Sequence, residues 1–253
     1  MTPEELRASI IFEDERLFVV NKPGDIVCHP SKDGPWSSLV GAVREYLGCG
    51  SVHLIFRLDR ETSGVVVIAK DERTSRRLQM AAQDRRYAKI YYAILTGELA
   101  AEVVVDQPLG ADLTGPVMVK NCVVPAGKGQ TAVTRYTPLA TGGGFTLARV
   151  LTESGRKHQI RAHAQWLGHS LVGDKIYGPD QKLFLDFVKD GWTPELEKIL
   201  LLPRQALHCA EIDLTLAGET AVFRAPLPAD LQAFALSKLG IIAQPAIDGL
   251  SRV

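Results

Sequence analysis

An uninterrupted apolar run, GVVVIAK (Gly64 to Lys70), constrains the fold of this chain more than any other feature of its sequence. A short run of branched and small apolar residues is typical of a β-strand that is buried on both faces. Such a strand needs neighbouring strands at its edges and packed elements on its faces. The run therefore predicts a sheet at the centre of the fold.

Strand and helix patterns mix irregularly along the rest of the chain, without strict βαβ alternation. We therefore expect a single domain over residues 1–253 with an α+β fold and a mixed, mainly antiparallel sheet with flanking helices. Strands are predicted in SIIFEDERLFVVNKP, in YAKIYYAILTG, over residues 103–150, and as a late hairpin in ALHCAEIDLTL and TAVFRAP. Helices are predicted in GPWSSLVGAVREYLG, from Asp71 to about Asp84, in GRKHQIRAHAQWLGH and near Asp230 to Leu239.

Composition excludes several classes of protein. No window approaches 18 uninterrupted apolar residues, so no membrane span is predicted, and the acidic N-terminus is unlike a secretory signal. The four cysteines form no C-x-x-C pair, which indicates reduced thiols rather than a disulfide framework or a zinc site. These observations predict a cytoplasmic protein.

Charge is balanced overall but uneven along the chain. The formal net charge is zero, yet the segment from Arg57 to Lys89 holds nine Lys and Arg against five Asp and Glu. This excess allows a local phosphate-binding face. On charge alone, a solvated helix surface is the preferred interpretation.

Asp59 is the candidate reactive group, because it lies between Arg57 and Arg60 immediately before the buried strand. A carboxylate close to guanidinium groups stays ionised, which makes it a poor general acid but leaves it available as a nucleophile or a base. The residue types by themselves favour a salt bridge that organises a turn. The position at the edge of a buried strand favours a functional site instead.

Longer motifs around Asp59 carry a family resemblance. The stretch RLDRETSG resembles the RLDxxTSG signature of the RluA-type pseudouridine synthases. Further elements resemble the same family in the same order: NKPGDIVCHPS (Asn21 to Ser31), KIYYAILTG (Lys89 to Gly97), GRKHQIRAHAQWLGHSLVGDKIYG (Gly155 to Gly178) and RQALHCAEIDL. Together they extend from Asn21 to about Leu214. The resemblance implies a pseudouridine synthase-like fold with a central catalytic cleft.

The resemblance also implies roles for individual residues. Asp59 falls on the catalytic aspartate, Tyr91 on the tyrosine that packs against the target base, and Arg161 on the basic residue that pairs with the aspartate. Arg57 falls on the arginine that helps to displace the target nucleotide from the RNA. Phe56 departs from the pattern, since many relatives carry His there, and we expect it to alter local RNA contacts rather than the chemistry.

The implied reaction is the isomerisation of uridine to pseudouridine in structured RNA, after the nucleotide has been flipped out. It needs no cofactor. Attack of Asp59 on the sugar C1′, attack on the base C6 and proton abstraction all stay open. Two alternatives remain: a catalytically inactive RNA-binding protein of the same fold, and a hydrolase that releases free uracil.

The remaining candidates carry weaker signals. His158, His163 and His169 do not fall on one helical face, so no metal site is predicted. We expect His158 and Gln159 to brace the site or contact RNA, a purely structural role being equally compatible. Lys22 is either a plain surface lysine or a phosphate contact.

The expected partner is a tRNA or ribosomal RNA stem-loop, with tRNA slightly preferred. Only about fifty residues precede the RLDR element, so no N-terminal S4-type RNA-binding module is expected. We also expect no membrane association and no nucleotide cofactor. A monomer is the default expectation.

Overall fold

A computed structural model describes residues 1–30, 32–219 and 221–243 of the chain, so the last residue of the NKPGDIVCHPS element, Ser31, lies outside the described residues. The strands are β1 (Ile10–Glu13), β2 (Leu17–Lys22), β3 (His53–Leu54), β4 (Ser63–Ala69), β5 (Ala88–Thr96), β6 (Val103–Asp106), β7 (Leu109–Ala111), β8 (Asn121–Val123), β9 (Val133–Gly142), β10 (Phe145–Thr152), β11 (Leu207–Asp213) and β12 (Val222–Arg224). The α-helices are α1 (Pro3–Ser9), α2 (Leu39–Leu47), α3 (Glu72–Gln83), α4 (Gln159–Trp166), α5 (Lys182–Asp190), α6 (Pro194–Leu200) and α7 (Ala229–Leu239).

The chain forms two compact units, each assembled from separate stretches of sequence. The first unit combines Met1–Ile90 with His208–Pro226, and the second combines Tyr91–Leu207 with the chain from Leu227 onward. The expectation of one domain over residues 1–253 stays a prediction.

The sheet of the first unit is built around β4. Its strands lie in the order β1-β2-β4-β11, with β12 paired to β11 and β3 paired to β4. The β4–β11 pair is parallel, whereas the other pairs of this unit are antiparallel. All seven residues of β4 are buried. The prediction of a fully buried strand is confirmed.

Both predicted helices of the first unit have side-chain caps at their start. The Ser38 hydroxyl accepts a hydrogen bond from the Gly41 amide at the start of α2, which ends at Gly48 in the left-handed conformation. Asp71 accepts from the Thr74 amide at 2.8 Å, which starts α3 as predicted. Leu78 faces the core, while most of the arginines on α3 are exposed.

The second unit contains the strand order β5-β10-β9-β6 and a separate two-stranded sheet of β7 and β8. Strands β9 and β10 form a long antiparallel hairpin that turns at Gly143 and Gly144, both at positive φ. Helix α4 packs against β8 and β9. Gly168, at φ +84°, follows its last turn as the sequence predicts.

One local prediction in the second unit is wrong. His158 and Arg161 are three positions apart within the helix predicted in GRKHQIRAHAQWLGH, which predicts a shared helical face, but α4 begins at Gln159. His158 is the residue before the helix and has the left-handed conformation, with φ +57°. Its side chain is therefore directed by that backbone conformation and not by helical periodicity.

The predicted fold class is confirmed: the sheet is mixed and mainly antiparallel, and the described residues include seven α-helices. No helix in the described ranges has both the length and the apolar character that spanning a bilayer requires. The central catalytic cleft stays a prediction.

Candidate active site

Asp59 lies in the irregular segment that connects β3 to β4. Strand β3 pairs with the far end of β4, so the segment runs back along β4 and delivers Asp59 near the beginning of that strand. The Thr62 amide donates to the Asp59 carbonyl at 3.1 Å and closes a turn. Asp59 is half-buried, Leu58 is buried and Arg57 is exposed. The carboxylate is thus carried by a turn just before a fully buried strand.

Lys22 anchors this turn from the inside. Its side chain is fully buried, and its ammonium group donates to the carbonyls of Pro23 at 2.7 Å, Ile26 at 2.9 Å and Arg60 at 3.0 Å. Burial is tolerated because the three N–H donors of a lysine are matched by acceptors. Both expectations for Lys22, a surface lysine or a phosphate contact, are wrong. Its ammonium group holds the turn that contains Asp59.

Two further hydrogen bonds tie the same loops together. The Asp25 amide donates to the Arg60 carbonyl at 2.9 Å, and Arg60 Nε donates to the Asp25 carbonyl at 3.0 Å. The guanidinium of Arg60 therefore helps to hold the turn. With Lys22, these bonds connect the loop after β2 to the turn that carries Asp59.

The loop after β2 also contributes side chains to the surroundings of Asp59. Arg57 Nη1 lies 3.2 Å from His29 Nε2, and the Cys28 thiol donates to the Leu58 carbonyl at 3.4 Å. Burial raises the pKa of the Cys28 thiol, and the nearby Asp59 carboxylate acts in the same direction. Cys28 is consequently a neutral thiol that packs and donates, rather than a nucleophile.

Phe56, the departure from the family pattern, forms an aromatic cluster with Tyr87. Their ring centroids are 4.4 Å apart, and Lys89 Nζ lies 5.0 Å from the Phe56 centroid and 5.3 Å from that of Tyr87. Burial lowers the pKa of Lys89. A neutral ring at position 56 offers a π face to this buried amine, whereas a protonated imidazole would repel it. The cluster holds the start of the RLDR segment.

Arg161, in the second unit, is held by a buried carboxylate that was not among the predicted site residues. Asp174 accepts from Arg161 Nε at 2.6 Å and from Nη2 at 2.9 Å, and Asp174 is fully buried. The Arg161 guanidinium also lies 4.9 Å from the Tyr177 ring centroid. This fixes the orientation of the guanidinium plane. The predicted pairing of Arg161 with Asp59 stays a prediction.

Asp174 keeps its charge although it is buried. Burial by itself raises the pKa of its carboxyl group. The Arg161 charge and its hydrogen bonds, with the amides of Tyr177 and Ile176 at 3.0 Å, outweigh that effect and hold the pKa below its ordinary value. The signal for Asp174 was present in the sequence, because it is the aspartate of the GDKIYG element.

His158 and Gln159 are engaged within the protein. His158 Nδ1 lies 3.0 Å from the Tyr177 hydroxyl. The Gln159 amide oxygen accepts from the Ser154 hydroxyl and the Arg156 amide, while its nitrogen donates to Thr134 and to a neighbouring backbone carbonyl. The Gln159 side chain therefore joins the turn before α4 to strand β9.

Tyr91 and the remaining histidines complete the candidates. Tyr91 lies in β5 and is 7% exposed. His163 is hydrogen-bonded to Thr134 and to the Gln107 carbonyl, and His169 to the Thr96 carbonyl. Within the described ranges, no group of three or more His, Cys, Asp or Glu side chains could hold a metal ion. The four cysteines are free thiols.

Comparison with known proteins agrees with the motifs. The sequence model of the family described as "RNA pseudouridylate synthase" matches residues 16–166. The "Ribosomal large subunit pseudouridine synthase D" of Vibrio parahaemolyticus is 34% identical over 240 residues, covering 91% of this chain and 70% of the relative. An "Uncharacterized RNA pseudouridine synthase" of Chloroflexus aurantiacus is 38% identical over 223 residues, covering 84% of this chain and 63% of the relative.

A solved structure extends the agreement to three dimensions. "Human RNA Pseudouridylate Synthase Domain Containing 4" superposes with a TM-score of 0.73 at 25% identity, and the match covers 94% of this chain and 95% of the human chain. The family match extends over more than half of the chain, and the bacterial and human matches extend over most of it. The chain belongs to the RNA pseudouridylate synthase family and is an isomerase that converts uridine in RNA to pseudouridine.

Proposed function

We propose that Asp59 is the catalytic group of this isomerase and that its natural substrate is ribosomal RNA of the large subunit. The observation that carries the assignment is the turn at Asp59, which Lys22 anchors through the Arg60 carbonyl just before the first residue of the buried strand β4. A reactive carboxylate must be held in place before the substrate arrives, because positioning supplies a large part of the rate enhancement. A carboxylate that served only a surface salt bridge would not require this buried support.

The chemistry requires one acidic side chain and no external reactant. The bond between N1 of the base and C1′ of the ribose breaks, the base turns, and a bond forms between C5 and C1′. One hydrogen leaves C5 and one is gained at N1, so no oxidant or water is consumed. Asp59 acts as nucleophile or as base in this sequence.

The other candidate residues expose the target nucleotide and orient its base. Flipping a nucleotide out of structured RNA costs about a few kcal/mol. Arg57, whose side chain is exposed, is the residue that we assign to the vacated space. A base that stacks on the Tyr91 ring regains roughly 1–3 kcal/mol. Arg161 presents a guanidinium plane that Asp174 has already oriented. Gln159 acts as a positioning residue, because its amide is fully used inside the protein.

The choice of substrate rests on the relatives. Several of them are named for the large ribosomal subunit, including those of Vibrio parahaemolyticus and Pseudomonas aeruginosa. They favour ribosomal RNA over the tRNA substrate that was slightly preferred from the sequence. They also favour an enzyme over a catalytically inactive RNA-binding protein. A ribosomal substrate agrees with the expected cytoplasmic location, and the monomeric state stays a prediction.

The substitution Asp59→Asn tests the catalytic assignment. The variant should fold and bind RNA, but its pseudouridine formation should fall at least about a thousand-fold, because it removes the reacting group itself. The measurement is tritium release from large-subunit ribosomal RNA that carries 5-³H-uridine and comes from cells lacking this protein. Asp186→Asn, on the exposed face of α5, is the matched control and should keep normal turnover.

Each alternative has its own outcome in the same assay. Turnover of Asp59→Asn at the wild-type rate would contradict the assignment of Asp59. Free uracil from the wild-type enzyme, separated by chromatography, would indicate the hydrolase. A wild-type protein that binds this RNA without releasing tritium would indicate an inactive RNA-binding protein or a different target RNA.

A further inference from the structure

A positively charged groove lies along α3 in the first unit, on residues to which the proposed mechanism gives no role. We call it the arginine groove, and its volume is roughly 570 Å³. It is lined by Glu72, Arg73, Arg76, Arg77, Met80 and Arg86. Residues three and four positions apart lie on one face of a helix, so the guanidinium groups of α3 form a stripe. The lining therefore holds four arginines and one glutamate.

Two arginines of the groove, Arg77 and Arg73, differ in whether their guanidinium groups already have partners in the protein. Arg77 donates to the Ala217 carbonyl at 3.0 Å and is paired with the buried carboxylate of Glu219, so it forms a fixed wall. Arg73 is exposed, and its side chain has no hydrogen-bond or ion-pair partner within the described ranges. The guanidinium of Arg73 can bind a phosphate group with two parallel N–H donors, beside the guanidinium of Arg77, which the protein already holds in place.

The other two arginines have only weak competitors. Arg76 pairs with Glu72 at 3.0 Å, with both side chains about three-quarters exposed. Arg86 pairs with Asp84 at 3.2 Å, again on exposed side chains. Exposed ion pairs contribute little to stability, so a phosphate can replace the carboxylate at little cost.

The groove ends close to the segment that carries Asp59. Helix α3 follows β4 in the chain and contacts β3 and β4, and Tyr87, four residues after the last residue of α3, lies against Phe56. Arg86 adjoins Tyr87, whose ring centroid is 4.4 Å from that of Phe56, and Phe56 adjoins the exposed Arg57. The Arg86 end of the arginine groove therefore lies next to the residues that precede Asp59.

From this arrangement we infer that the arginine groove binds the phosphate backbone of the RNA substrate, outside the target nucleotide. The inference rests on the proposed function, since RNA is the polyanion on which this enzyme acts. Contacts of this kind position the substrate and carry no base specificity. The groove extends the binding face of the enzyme along the first unit, although the whole protein has no net charge.

The test is the double variant Arg73→Gln/Arg76→Gln compared with Arg7→Gln/Arg44→Gln, which removes two exposed arginines elsewhere in the first unit. Binding of a short fluorescein-labelled RNA hairpin is measured by anisotropy at several KCl concentrations. The groove variant should bind about ten-fold more weakly, and the salt dependence of log K should become shallower by about two, one for each lost phosphate contact. At saturating large-subunit ribosomal RNA its kcat should stay close to that of the wild type, and its KM should rise.

The control variant should match the wild type in affinity and in salt dependence. Equal affinities and equal salt dependence for the two double variants would overturn the inference and assign the groove to an occupant other than RNA. Pseudouridine formation by the wild type is followed in the same preparations. Its absence would count against the proposed function, while the comparison of the two variants would still decide the inference about the groove.

Discussion

At the scale of single residues, the buried pair of Arg161 and Asp174 has the clearest energetic consequence. Asp174 is fully buried and Arg161 is 5% exposed, so neither charge is solvated by water. Each charge is tolerated because the other compensates it with two short hydrogen bonds. Loss of one partner would leave the other charged and desolvated.

The substitution Asp174→Asn should therefore destabilise the protein by about 3–5 kcal/mol at neutral pH. The folded-state pKa of Asp174 lies below its ordinary value of 3.8, so its contribution is present above that value and is lost as the pH falls through the folded pKa. Urea unfolding of both proteins should show a difference in stability that narrows below about pH 4. Asp186→Asn is the control. If the difference in stability between the wild type and Asp174→Asn widened as the pH fell, this explanation of the Arg161–Asp174 pair would be contradicted.

The burial of Lys22 and its hydrogen-bond partners could not be predicted from its residue type. A lysine is normally exposed, and its sequence neighbours gave no sign of burial. Its acceptors include the Arg60 carbonyl, 38 positions away in the chain. Only the pairing of β2 with β4, which sets Lys22 opposite Gly64, brings the ammonium group to the turn at Asp59.

At the scale of elements, Gly64 determines how β4 meets β11. Its φ is +117°, and a Cβ atom at this position would lie 2.1 Å from the Cys209 carbonyl oxygen. Cys209 is the direct partner of Gly64 in the parallel pair. The backbones can approach in this way only because glycine has no side chain.

The substitution Gly64→Ala should thus destabilise the protein by roughly 3 kcal/mol, because the backbone of β11 cannot move aside as a flexible side chain would. Thermal unfolding measures the effect. Gly50→Ala is the matched control, since Gly50 has open space around it and no positive φ. Equal melting temperatures for the two variants would contradict this account of the strand pair.

Helices differ in how far their own sequences determine them. Helix α3 was predicted from Asp71 as its N-cap. The short helices α1, α5 and α6 were not predicted. Helices α5 and α6, of nine and seven residues, are too short to be stable alone, and Leu183, Leu196 and Leu200 stabilise them by packing together with Phe187 and Trp192.

At the scale of the whole molecule, the question is which RNA the enzyme selects. Pseudouridine mapping in cells that lack this protein should reveal a missing modification in large-subunit ribosomal RNA. Expression of the wild type should restore it, and expression of Asp59→Asn should not, because the base must be isomerised by a functional active site. A modification missing from tRNA alone would contradict the proposed substrate.

Local features could be predicted from the residues alone: the buried strand β4, the cap of α3, the hairpin of β11 and β12, and the motif order that indicates the family. These depend on periodicity and on contacts between residues close in the chain. The partners of the buried polar groups became known only from the packed fold: the carbonyls around Lys22, the Asp174 carboxylate that binds Arg161, and the acceptors of Gln159. The reason is physical: a buried donor or charge must be matched, and its partner comes from distant segments that only the packed fold brings within hydrogen-bonding distance.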